Sequence, residues 1–386
     1  MFLNSAQNER LVYSFPARTN LAENPYNSIF SENMERMGWI VKDATIFESI
    51  FGRPAIVHLH WPQATTSGKI TTVLRRIVTL FAMLLVQRFK GARIVWTVHN
   101  VNAHDAVRPR LEKALMSIVT RLLDGLVFLN KYSREEAIKR YPRLQPLPLA
   151  QVAHGVYGTS YPPPPDKQSA REEWGLSGDD TVVGFIGDIK AYKGLHSLLD
   201  AASSVTPGLL HTFIAGRFKD AHYAAHIKRT MNFMLGKGHK ITLLERRLSD
   251  GEMMSAMAAS DVIAFPYSSS YNSGLALLAA EKGFPIIMSN NPAFAELVEQ
   301  IGQERAQTFE CLGGEMLLAV ANRYRGKEAT QSKNFMEHND WARISAAIDQ
   351  LYRILLNNRL VTHLPSISRR DQTALQSEEM SRKRYD

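Results

Sequence analysis

The chain has 386 residues, 45% of them apolar and 22% charged, with a formal net charge of +9. This composition excludes a disordered or collagen-like polymer and is enough for about two folded domains. The single cysteine, Cys311, excludes an internal disulfide framework and a cysteine-rich metal site, and it fits a reducing compartment.

At the N-terminus, MFLNSAQNER lacks the basic-then-apolar order of a signal peptide. No apolar run reaches about 18 residues, so no transmembrane helix is expected. Apolar β-type runs occur at RLVYSF (10–15), AIVHLHW (55–61), ARIVWTVHN (92–100), DGLVFLN (124–130) and LAQVAHG (149–155). Helical patterns separate them, notably over 69–90 and 108–123. YPPPPDKQ (161–168) reads as a stiff polyproline spacer. The alternation then restarts with TVVGFIGD (181–188), LLHTFIAG (209–216), KITLLE (240–245), DVIAFPY (261–267) and FPIIMSN (284–290). Strand–helix alternation predicts parallel sheets covered on both faces. Two such series predict two doubly wound α/β domains: an N-terminal one over 1–160 and a C-terminal one over 176–340, joined by a linker over 161–175. WARISAAIDQLYRILLNN predicts a terminal helix over 341–357, and the polar stretch 358–386 predicts a poorly ordered tail.

Charge is unevenly spread. No Asp or Glu occurs from Ser49 to His104, whereas Arg53, Lys69, Arg75, Arg76, Arg88, Lys90 and Arg93 all fall there. Such a surface suits an anionic membrane, nucleic acid or a phosphate-rich ligand, or is simply a solvated basic helix face. Nucleic acid is disfavoured, because the basic stretch lacks interleaved aromatics and a recognised binding motif. Within it, KITTVLRRIVTLFAMLLVQRFKGAR (69–93) has an apolar centre of about ten residues, too short to span a bilayer. It reads either as a helix lying on anionic headgroups or as one packed on the sheet with a basic rim.

Open parallel sheets bind ligands at the carboxyl ends of their strands. FIGDIKAYKGLHSLL (185–199) follows the first strand of the second domain. Gly187 permits a tight turn there, and Lys190 and Lys193 flank a helix start suited to a diphosphate, unless they are only solvated loop charges. YNSG (271–274) follows a later strand of the same sheet. Asn272 or Ser273 can cap a helix, and Gly274 leaves its first turn open to an anion; the alternative is an ordinary N-cap. In the first domain, HLHWP (58–62) and TVHNVNAHD (97–105) place His58, His60, His99, His104 and Asp105 at strand ends, which predicts a polar cleft. No metal ligand set is evident there: these histidines include no His-x-x-x-His pair, and the chain has no Asp-x-Asp. A Gly-x-Gly-x-x-Gly dinucleotide fingerprint is absent too.

In combination, ENPYNSIF, VHLHWP, TVHN, HGVY, GDIKAYKG, FPYSSSYNSG and KGFPII resemble a GT-B glycosyltransferase over roughly residues 10–355. More narrowly they resemble the xanthan-pathway β-1,4-mannosyltransferases and related exopolysaccharide enzymes. The resemblance implies two Rossmann-like domains facing across a cleft, a nucleotide-sugar donor with GDP-mannose favoured over UDP-glucose, and a lipid-linked oligosaccharide acceptor at the inner face of the cell membrane. It implies donor contacts from Gly187, Lys190, Lys193, Asn272, Ser273 and Gly274, and acceptor contacts from Asn24, His60 and Asn100. An arginine usual in that group after the loop glycine is Asp188 here, which makes Lys190 the candidate for the second cation. A pair of glutamates usual around the phosphate-binding helix falls on Ser270 and Leu278, which points away from retaining enzymes. Inversion needs a base for the acceptor hydroxyl; Asp105 is the first candidate, followed by His99 and His104. No metal or other cofactor is expected, because lysines and a helix terminus supply the positive charge. A basic nucleotide-binding protein without catalysis is the reading from a different class.

Overall fold

The computed structural model describes residues 9–21, 24–43, 45–101 and 107–361. The first half runs β1 (Leu11–Phe15), α1 (Tyr26–Arg36), β2 (Ile40–Lys42), α2 (Ile46–Phe51), β3 (Ile56–Leu59), α3 (Ile70–Phe89), β4 (Arg93–Val98), α4 (Pro109–Leu122), β5 (Gly125–Phe128), α5 (Lys131–Arg140) and β6 (Leu149–Gln151). The second half runs α6 (Lys167–Glu173), β7 (Val182–Ile186), α7 (Leu195–Ser203), β8 (His211–Ala215), α8 (Ala221–Gly236), β9 (Lys240–Leu244), α9 (Asp250–Ala259), β10 (Val262–Phe265), α10 (Gly274–Glu281), β11 (Ile286–Ser289), α11 (Pro292–Ile301), β12 (Ala306–Phe309), α12 (Gly314–Tyr324), α13 (Lys333–His338) and α14 (Trp341–Val361).

These form two six-stranded parallel sheets, ordered β2-β1-β3-β4-β5-β6 and β12-β11-β10-β7-β8-β9. The central strands are runs of Val, Ile, Leu and Phe buried on both faces, as a sheet sandwiched by helices requires. This is the expected pair of doubly wound Rossmann-like domains.

Two edge strands, β2 and β12, were not among the expected ones. The segment read as a spacer is only partly extended. Asp166 accepts from Ser169 N and caps α6, which carries Arg171 to the buried carboxylate of Asp261 at 2.8 Å. Helix α14 reaches Val361 and returns to the N-terminal sheet. There Trp39 Nε1 donates to Asp349 at 2.9 Å, and Arg93 Nε donates to the Leu355 carbonyl. The two crossings between domains are tied together, since Val156 N donates to Asn339 O and Trp341 Nε1 to Val156 O at 2.7 Å. The polar tail beyond 361 lies outside the described residues.

Candidate active site

In the second sheet the strand order reverses between β10 and β7, so the loops after these neighbouring strands part and open a crevice at the carboxyl edge. The loops 187–194 and 266–273 lie there. Gly194 has φ +70, and a Cβ on it would sit 1.9 Å from the Pro266 carbonyl oxygen, so the two loops meet backbone to backbone. Ser268 N donates to Tyr192 O at 2.8 Å and holds that contact. Gly187 has φ +99, and its Cβ position is 3.1 Å from Leu275 in the first turn of α10 and 3.9 Å from Lys193 Nζ. The Lys193 ammonium also lies 5.5 Å from the Tyr267 ring centre. Ser273 caps α10, its hydroxyl accepting from Ala276 N at 3.2 Å. A half-buried ammonium, a glycine turn and a helix N-terminus thus converge on one spot, which is a constellation for binding phosphate.

The sequence reading missed two cations here. Lys219 and Arg217, just past β8, lie 3.1 and 3.9 Å from the Asp188 carboxylate. The acidic residue standing where an arginine was expected is therefore offset from the neighbouring strand end. Their signal was weak, because RFKD (217–220) belongs to no motif.

Two donor-side expectations acquire different explanations. The Asn272 side chain does not point into the crevice alone: its Nδ2 donates to the His99 carbonyl at 3.0 Å and its Oδ1 accepts from Asn130 Nδ2 at 2.9 Å. Asn130 in turn caps α5 and donates to Tyr271 O. Beside them the Glu296 carboxylate of α11 accepts from Lys131 N and Tyr132 N, so both α11 and the loop 266–273 are clasped to the N-terminal domain. Gly274 is bare for a neighbour within the protein, since a Cβ there would meet Tyr157 Oη at 2.5 Å. Ser270 and Leu278 are both buried, and the nearby Glu281 carboxylate is spent on Tyr157 N and Gly158 N.

The facing edge of the first sheet is aromatic and dry. His58 and His60, two apart on β3 and its end, stack at 4.6 Å between centres. His60 Nδ1 meets His99 Nε2 at 3.1 Å, and Trp61 stacks on His99 at 4.1 Å. His58 is bracketed by Tyr352 Oη and Thr97 Oγ1, and Tyr26 packs against His99 and His154. Burial holds every one of these imidazoles in its neutral form: the His58 pKa falls to about 3, that of His154 to about 4, and those of His60 and His99 well below the ordinary value. His60 Nε2 and Tyr26 Oη are buried without a partner among the described residues.

Of the expected acceptor contacts, His60 is fully buried, so a direct contact would need its neighbours to part. Asn24 is drawn into a local turn, its side chain accepting from Tyr26 N at 3.0 Å. Asn100 is half-buried and its carbonyl accepts from Gln63. Of the candidate bases, His99 lies in the cleft wall, while His104 and Asp105 fall outside the described residues. Among the described residues, no group of three His, Cys, Asp or Glu side chains is placed to hold a metal ion.

Helices α2 and α3 form the outer face of this domain. Phe47, Phe51, Leu74, Val78 and Phe89 are exposed there, Phe89 almost wholly, among Arg75, Arg76 and Arg88. Between Arg76 and Arg88 the uncharged centre of α3 is as short as the sequence indicates. With the turns that carry Arg75 and Arg76 included, an 18-residue stretch of this 20-residue helix has a mean hydropathy of 1.6, enough by length and composition alone to cross a membrane. It nevertheless packs on the sheet through Val73, Met83, Leu84 and Gln87.

Residues 180–309 match the family described as "Glycosyl transferases group 1". A GDP-mannose:glycolipid 4-beta-D-mannosyltransferase of Xanthomonas campestris pv. campestris is 22% identical over 257 residues, 66% of this chain and 67% of that one. Sucrose-phosphate synthase from Thermosynechococcus elongatus superposes with a TM-score of 0.66 at 14% identity, over 90% of this chain and 99% of the other. Anabaena Alr3699/HepE in complex with UDP superposes at 0.62 with 13% identity, over 88% and 98% of the two chains.

Proposed function

We propose that this chain, a glycosyltransferase with the GT-B fold, transfers a hexose from a nucleotide sugar, mannose from GDP-mannose in the first instance, to a membrane glycolipid. The donor and acceptor classes rest on the similarity to the Xanthomonas campestris enzyme. The observation that carries the chemistry is the convergence of Lys193, the Gly187 turn and the α10 N-terminus opposite a dry histidine-lined edge. UDP-glucose is the alternative donor.

In this reading the sugar's C1–O bond to the diphosphate breaks as the acceptor oxygen bonds to C1, and the nucleoside diphosphate leaves with the electron pair. Negative charge grows on the diphosphate, where Lys190, Lys193 and the helix dipole are already fixed. They stabilise the transition state more than the ground state, without a metal ion. Inversion requires the acceptor O–H proton to pass to a base. His99 is neutral, but burial makes it a poor proton acceptor and its Nε2 is engaged by His60. We therefore assign the base to Asp105, with His99 orienting the acceptor and His104 beside it.

The exposed apolar and basic face of α2 and α3 would rest on the anionic inner leaflet and bring the cleft to its acceptor. Incubation with a panel of GDP- and UDP-sugars, plus a total glycolipid extract from an exopolysaccharide-producing bacterium, tests the reading. Sugar transfer into the lipid fraction from GDP-mannose alone is the expected result; no transfer from any donor would overturn it. Charge reversal at Arg75, Arg76 and Arg88 should release the protein from anionic vesicles, as should high salt.

A further inference from the structure

Between α3 and the carboxyl ends of β1 and β3 runs a groove of about 750 Å³. Its walls are Phe15, Leu59, Trp61, Pro62, Leu80 and Met83, and Arg75 and Arg76 stand at its rim. Two features define what it fits. No carboxylate or carboxamide side chain lines it, and its only other polar side chains are hydroxyls. A sugar subsite needs amide and carboxylate partners for its hydroxyls, whereas an alkyl chain needs none. The rim, moreover, is cationic without local compensation: no acidic residue occurs from Ser49 to His104, and no carboxylate pairs with Arg75 or Arg76 among the described residues. Trp61, in the lining of the groove, also stacks on His99 in the cleft wall. Helix α3, which contributes Thr79, Leu80 and Met83 to the lining, exposes Leu74 and Val78 on its outer face.

We propose that this groove binds the lipid part of the acceptor, with a phosphate of the lipid link at Arg75 and Arg76 and the first carbons of its alkyl chain along Leu80, Met83 and Phe15. The proposal rests on the glycolipid reading above and adds a site to it. The phosphate is held at the groove mouth and the attached saccharide is directed past Trp61 towards the donor. Ordinary bilayer lipid meets the outer face of α3 and does not enter the groove.

Calorimetric titration below the micelle-forming concentration tests this with octyl phosphate, inorganic phosphate and octanol as probes. Octyl phosphate should bind at least tenfold tighter than either of the others. Thr79→Trp, which fills the groove from α3, should abolish the advantage of the octyl chain, and Ala64→Trp serves if that variant melts early. Arg75→Glu with Arg76→Glu should abolish the advantage of the phosphate. Thr79→Trp should leave binding to phosphatidylglycerol vesicles unchanged, since only the outer face meets a bilayer. Equal affinity for octyl phosphate and inorganic phosphate would overturn the proposal. So would a Thr79→Trp protein that folds and binds octyl phosphate normally, or one that loses vesicle binding in parallel. None of these readouts uses a sugar nucleotide. A failed groove with intact transfer to glycolipid therefore removes only the groove, whereas failed transfer with an intact groove removes only the glycolipid reading.

Discussion

The two sheets present their carboxyl edges to one cleft, and the two edges are built on opposite electrostatic plans. On the C-terminal side, Lys190, Lys193, Arg217 and Lys219 and a helix terminus gather positive charge at half-exposed positions. On the N-terminal side, His58, His60, His99 and His154 are buried against Tyr26, Phe30 and Trp61 and carry no charge at neutral pH. The difference matches the two halves of a group transfer. In the proposed reaction the leaving diphosphate would gain charge and need fixed cations, whereas the attacking hydroxyl would need a dry, oriented surface that excludes competing water. A single cleft lined uniformly in either style would serve one partner and not the other.

Acid should break the comparison on one side, and with the largest effect. Because burial depresses the histidine pKa values, the folded chain stays unprotonated where the unfolded chain binds protons. The stabilisation is therefore complete above pH 6.5 and is lost as the pH falls towards the folded values, about 4 for His154 and about 3 for His58. Each neutral histidine costs about 1.4 kcal/mol per pH unit in that window. From pH 6.5 to 5 the cluster should lose several kcal/mol, measured as a fall in denaturation midpoint. His154→Gln should flatten the slope by about one histidine's share. A midpoint constant between pH 7 and 5 would mean that the imidazoles are hydrated or open in solution.

Next comes the cationic edge. Lys193→Ala removes the ammonium beside Gly187 while leaving the loops packed through Gly194 and Pro266. A charge-assisted contact of this kind is worth about 1.5–3 kcal/mol, so nucleoside diphosphate should bind about tenfold to a hundredfold more weakly. Lys190→Ala should be milder, and neither should alter the acid slope. Unchanged affinity for the diphosphate would move the donor away from the β7–β10 crevice.

Half of this contrast was legible in the sequence, and the exceptions have physical causes. The sequence places the histidines at strand ends and suggests a polar cleft, whereas they are buried and neutral. The central strands declared themselves through uninterrupted apolar runs. The edge strands β2 and β12 did not: each is short, and IVK and AQTF carry too few apolar residues to stand out. The crevice between β7 and β10 was readable because glycine, lysine and a cap residue state backbone requirements within a few positions. Pairings across long separations were hidden. Nothing local says that Asn272 donates to His99, that Glu296 caps α5 or that Tyr157 fills the space beside Gly274. The dryness of the histidine edge also depends on α14, which brings Tyr352 to His58 across 294 positions of chain.

Gly274 tests one such hidden pairing. A methyl at 2.5 Å from Tyr157 Oη must push that ring, which is buried against His154 and Tyr161. Overpacking of this size costs about 1–3 kcal/mol. Gly274→Ala should therefore lower thermal stability, and adding Tyr157→Phe should restore most of it by removing the oxygen. Were the glycine bare only to admit the donor, the double variant would melt like the wild type yet still fail to bind diphosphate. Recovery of both properties assigns the glycine to tyrosine packing.

Ser273 carries the smallest and most discriminating effect. Its hydroxyl accepts from Ala276 N, which satisfies one of the amides that open α10. Ser273→Ala loses a cap worth about 1 kcal/mol in stability. If capping is its whole task, diphosphate affinity should follow only slightly, because Lys193, the Gly187 turn and the helix dipole remain. A loss of affinity well beyond the loss of stability, compared by titration and thermal melt on the same preparation, would place the hydroxyl on the phosphate itself. Ser273→Thr keeps the hydroxyl and should recover whichever property depends on it. Recovery of stability without affinity would show that the added methyl intrudes on the donor, and that the cationic edge is fitted as closely as the histidine edge opposite.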